Sequence, residues 1–123
     1  MKRILIIAGI GATLLATSGC VIHLGEDIGQ THDSVRAEEM RARHRIAEWP
    51  LGTPSSVVLA ELGTPAFTDL VDTPSGELRV LRYRTHRTHA DGETTRDETT
   101  PLLFRDGRLV GSGELALGRE LGR

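Results

Sequence analysis

Apolar positions recur along this chain with two different periods, and the change between them divides it. Residues 34–49 contain no Gly or Pro and are rich in the helix formers Ala, Glu, Arg and Met. Val35, Ala42, Ile46 and Trp49 fall near one face, leaving Glu38, Glu39, Arg41, Arg43 and Arg45 to water. Asp33 is placed to cap this helix, and Pro50 to end it. A second, shorter helix follows. Thr53 reads as its N-cap, Pro54 as its first residue, and Ser55 and Ser56 as its opening turn. Val57, Val58, Leu59, Ala60 and Leu62 make it apolar. Gly63 can take a left-handed cap, and Pro65 blocks continuation.

Beyond Pro65 the period falls to two. Phe67, Leu70 and Val71 predict a short edge strand, and residues 72–76 a turn. Residues 78–88 are the longest strand candidate, with Leu81 and Tyr83 on one side and Arg82 and Arg84 on the other. Residues 90–100 are polar and predict a loop or a frayed strand end. Pro101 opens a strand through Leu102, Leu103 and Phe104. Asp106-Gly107 is a two-residue hairpin signal, and residues 108–111 return antiparallel. Leu115, Leu117 and Leu121 are interrupted by glycine, so residues 115–123 predict a loose helical turn or a mobile tail. The expectation is an α+β two-layer sandwich, with two N-terminal helices on one face of a three- to four-stranded antiparallel sheet. Trp49, Phe67, Tyr83 and Phe104 are its natural core anchors.

The amino end has another character. Lys2 and Arg3 precede an apolar run at residues 4–16, and small residues lead to the single cysteine, Cys20. The run is well short of the about 20 residues a bilayer core requires. Leu15-Ala16-Thr17-Ser18-Gly19-Cys20 resembles a bacterial lipobox, with Thr17 where Leu is usual. That resemblance implies a signal peptide over 1–19, a lipidated Cys20 with a tether over 20–32, and a folded domain over 33–114. Gly25 and Gly29 suit the tether. Val21, in place of the Asp that retains many such proteins at the inner membrane, favours the periplasmic face of the outer membrane. The inner membrane is the other destination. Cleavage would remove Lys2 and Arg3 and no acidic residue, leaving 13 basic against 17 acidic residues, a net charge of −4. That balance argues against general nucleic-acid binding.

Two family resemblances lie in these elements. Leu51-Gly52-Thr53-Pro54-Ser55-Ser56-Val57-Val58, followed by Leu62-Gly63-Thr64-Pro65, resembles the helix-turn signature of the SmpA/OmlA (BamE-like) lipoproteins. Those have two helices on an antiparallel sheet and assist assembly of outer-membrane β-barrels. Val80-Leu81-Arg82-Tyr83-Arg84-Thr85, the polar run at residues 91–104 and Asp106-Gly107-Arg108-Leu109-Val110-Gly111 resemble DUF3192, a family of small proteobacterial lipoproteins of unknown function. Together the likenesses span residues 46–114. They imply a BamE-like fold and an envelope location, and bring no catalytic residue.

Candidate chemistry concentrates between Tyr83 and Pro101, where His86, His89, Asp91, Glu93, Asp97 and Glu98 cluster. Their spacing matches no standard metal site, and nothing in the pattern points to a cofactor. The plainest reading is a wide hairpin whose Asp and Thr side chains cap backbone groups. A contact surface made by Arg82, Arg84, Arg87, Asp91, Asp97 and Glu98 is the functional one, and a small-ligand or divalent-metal module using residues 86–100 is its rival. Ser112 lies between two glycines without a nucleophile elbow, and His44 sits among arginines on a helix. The expectation is therefore a non-enzymatic lipoprotein that meets an unidentified envelope protein.

Overall fold

The computed structural model describes residues 27–122, with side chains from His32 onward. Its elements run α1 (Asp27–Glu48), α2 (Ser55–Leu62), β1 (Phe67–Thr73), β2 (Gly76–Arg84), a 3-10 turn (Arg96–Glu98), β3 (Thr99–Arg105), β4 (Arg108–Ser112) and α3 (Glu114–Glu120). The four strands form one antiparallel sheet in the order β1-β2-β3-β4. This is the expected α+β arrangement, with α1 and α2 packed against the sheet. Among the described residues no helix is long and apolar enough to cross a membrane. Cys20, the leader and most of the expected tether lie outside the described residues.

Strand alternation sorts the apolar side chains into two cores. Leu81 and Tyr83 of β2, Leu102 and Phe104 of β3, and Leu109 of β4 face the helices, where Val58, Ile46, Trp49 and Leu62 meet them. Leu78, Val80 and Leu103 point the other way, beneath Leu117 of α3, with Ala116 and Leu121 beside them. The C-terminal segment expected to be loose is thus a structural element. It covers the face that the two arginines had marked as polar. Arg82 and Arg105 clamp α3 at its two ends: Arg82 Nη1 reaches Glu114 Oε1 at 2.6 Å and Arg105 Nη2 reaches Glu120 Oε2 at 2.8 Å. Gly111 makes the close approach possible, because a Cβ there would lie 3.1 Å from Ala116 Cβ.

Three local expectations shift. α1 begins at Asp27, so Asp33 is an exposed interior residue rather than its cap. Thr53 does not cap α2. Its hydroxyl donates to Pro50 O at 2.7 Å, and Pro54 occupies the cap position without a side-chain bond. The sheet takes over that task, as Ser55 N donates to Gly107 O at 2.8 Å. Gly52 N donates to Leu109 O and Leu109 N to Thr53 O, so residues 52–55 also close the β4 edge. Pro101 lies inside β3 rather than opening it. Its carbonyl accepts from Gly113 N at 2.9 Å, on the side where β4 has already ended, so the missing amide interrupts no bond to β2.

The turn chemistry follows the sequence. Asp106 and Gly107 both have positive φ, 51° and 74°, the hand that a two-residue hairpin turn needs. Gly63 closes α2 at φ 73°, and the chain passes through Pro65 into β1.

Candidate functional site

The polar segment after β2 is a constructed loop organised around one carboxylate. Glu98 is fully buried. Its Oε1 accepts Thr88 N and His89 N, each at 2.9 Å, and its Oε2 accepts Thr95 N at 3.4 Å. Thr95 and Glu98 form a capping box around the 3-10 turn. Thr85 N and His86 N both donate to Glu98 O. The amides of His89 and Thr88, helped by Arg84, hold the Glu98 carboxyl below the usual carboxylate range. Asp91 Oδ1 accepts Glu93 N at 3.0 Å, and the Thr95 hydroxyl donates to Asp97 and lowers that carboxyl's pKa.

This loop is tied to α1 through charge. Arg84 Nε donates to Glu39 Oε1 at 2.8 Å, and its Nη2 lies 3.8 Å from Glu98 Oε2. Glu39, expected to face water, is therefore buried beside the end of β2. Arg43 Nη1 donates to Thr85 O at 2.7 Å, and Arg87 Nη1 to His32 Nδ1 at 3.3 Å. Between α1 and the loop lies an open groove of about 410 Å³. Its lining carries Arg36 and Arg43 from α1 and His86 and Arg87 from the loop, with His32, Asp33 and Glu39 completing it.

The arginines and acids singled out from sequence thus have different fates. Arg82 is 8% exposed and serves α3, and Arg84 joins Glu39 to Glu98. Asp97 and Glu98 shape the loop. Arg87 and Asp91 are exposed. The groove residues Arg36, Arg43 and His32 had no separate signal, because on a helical wheel they belong to a solvated face. On the opposite side of the sheet, Arg96 lies 4.8 Å over the Phe67 ring and makes two bonds to Asp69, at 2.6 and 3.1 Å, lowering that carboxyl's pKa. Among the described residues no three His, Cys, Asp or Glu side chains are grouped to hold a metal ion. His44 pairs with Glu48 at the surface, and Ser112 is exposed at the end of β4.

Compared with known proteins, residues 18–119 match the family described as "protein of unknown function (DUF3192)". No curated protein and no solved structure matches the chain.

Proposed function

Starting from a chain that belongs to the DUF3192 family, whose function is not known, we propose that it is an envelope lipoprotein anchored through Cys20 and acting by surface contact rather than catalysis. The observation that carries this reading is the setting of Cys20: a basic start, a short apolar run and small residues immediately before the thiol. The family match begins at Ser18, so it takes in this cysteine and the last two residues of the leader. Only residues 21–26 separate Cys20 from α1, so a lipid there would hold the domain close to its membrane. Confinement of that kind raises the local concentration of membrane partners without any new contact.

Two helices on an antiparallel sheet is also the architecture that the BamE-like resemblance implied. Outer-membrane assembly or maintenance is therefore the process to test first. Intact-mass analysis of the full-length gene product, isolated from membranes, tests the anchor. The expected species begins at Cys20 and carries acyl chains on it. A retained leader or an unmodified thiol would overturn the reading. Crosslinking in cells is expected to recover a recurrent envelope protein, and the absence of any such adduct would remove the contact role.

A further inference from the structure

We propose that the groove between α1 and the 84–90 segment is a site for anionic phospholipid headgroups, turned toward the membrane in which Cys20 is anchored. The inference rests on the lipoprotein reading and adds an orientation and a ligand class to it. Three arginines line the groove, and Glu39, one of its two carboxylates, is already engaged by Arg84. Asp33 is the other, so Arg36, Arg43 and Arg87 leave the groove net positive. The domain as a whole is acidic, which makes this local excess a departure from its background.

The groups are accessible, and Arg43 and Arg87 are held in place. Arg36, Arg43, His86 and Arg87 are all exposed. The Arg43 bond to Thr85 O and the Arg87 bond to His32 fix the two walls of the groove to each other, while Arg36 has no partner among the described residues. Every basic residue after the leader is arginine rather than lysine. Its planar fork of donors matches phosphate oxygens two at a time.

Position supplies the second argument. Seven extended steps from Cys20 to Asp27 reach at most about 25 Å. The rise of α1 from Asp27 to Arg36 adds about 14 Å. Covalent geometry therefore keeps the groove within a few nanometres of an anchored lipid, however residues 21–26 are arranged. Near an anionic bilayer surface each arginine contributes about fivefold to binding.

The test uses the full lipoprotein isolated from membranes and reconstituted in vesicles of phosphatidylcholine, alone or with phosphatidylglycerol. Hydrogen exchange is read at residues 32–43 and 84–90. Phosphatidylglycerol is expected to slow exchange there several-fold, and Arg36→Glu with Arg87→Glu to abolish the slowing. The same double reversal at the exposed Arg79 and Arg119, which matches the net charge, is expected to leave it intact. Equal exchange in the two vesicle types overturns the proposal. So does slowing that inorganic phosphate reproduces with phosphatidylcholine alone, because that would mark a site for free anions. A protein that does not float with phosphatidylcholine vesicles lacks the anchor, and the groove proposal falls with it. Flotation without the phosphatidylglycerol effect overturns the groove alone.

Discussion

A carboxylate can be both buried and charged only where fixed donors replace the water it has lost. Glu98 meets that condition with backbone amides, which is why its position governs the loop rather than decorating it. Substituting Glu98→Gln keeps the shape but turns one acceptor oxygen into an NH2 donor and removes the charge. The amides of Thr88 and His89 are then expected to exchange about tenfold faster, while those of β3 stay protected. Unchanged exchange at both amides would mean that another group holds the loop. Glu98 and Glu39 also show where residue-level reading stops. The local pattern around Glu39 is that of a solvated helix face, yet its partner Arg84 lies 45 positions away. No local spacing encodes a pair of that separation.

At the scale of elements, the informative case is α3. Two glycines among the leucines made residues 115–123 look loose, and a helix of seven residues has little stability of its own. Tertiary contact supplies the rest. Leu117 is buried against Leu78, Val80 and Leu103, whereas Leu115 is 87% exposed on the same short helix. Leu117→Ala is expected to cost about 2–4 kcal/mol and to lower Tm by roughly 10–20 °C. Leu115→Ala should stay within about 0.5 kcal/mol. Thermal denaturation of the two variants side by side checks this, and equal effects would mean that α3 does not cover the sheet. The start of α2 carries the same lesson. Thr53 has good capping chemistry, but the carbonyl of Gly107 is already in place to accept the Ser55 amide.

For the whole molecule, charge and burial set the range of pH over which the fold persists. Asp69, Asp97 and Glu98 are held below their ordinary values by Arg96, by the Thr95 hydroxyl and by backbone amides respectively. Their contribution is complete above the ordinary carboxylate pKa of about 4 and is lost as pH falls through the depressed values. Tyr83 acts at the other end. Burial pushes its phenol up to about 12, and the hydroxyl donates to Gly63 O at 2.8 Å. The stability it contributes is full below about pH 10 and is lost as pH rises toward the folded value. Tm is therefore expected to be level near neutrality and to fall on both sides. Tyr83→Phe should reduce stability near neutrality by about 1 kcal/mol and soften the alkaline limb of the Tm profile, leaving the acid limb unchanged. A Tyr83→Phe profile that falls equally steeply above pH 10 would remove Tyr83 from that limb.

Read on its own, the sequence determined what is set by neighbours a few residues apart. The two helices, the glycine at Gly63, the hairpin at Asp106-Gly107 and the alternation of Leu81 and Tyr83 with Arg82 all follow from local backbone sterics and the period of apolar residues. The second core, the clamp of Arg82 and Arg105 on α3, the burial of Glu39 and Glu98 and the groove lined by Arg36, Arg43 and Arg87 were decided by the tertiary structure. Each joins residues far apart in the chain. A polar residue's sequence neighbours do not reveal whether folding will give it a partner, cover it with a helix or leave it to water.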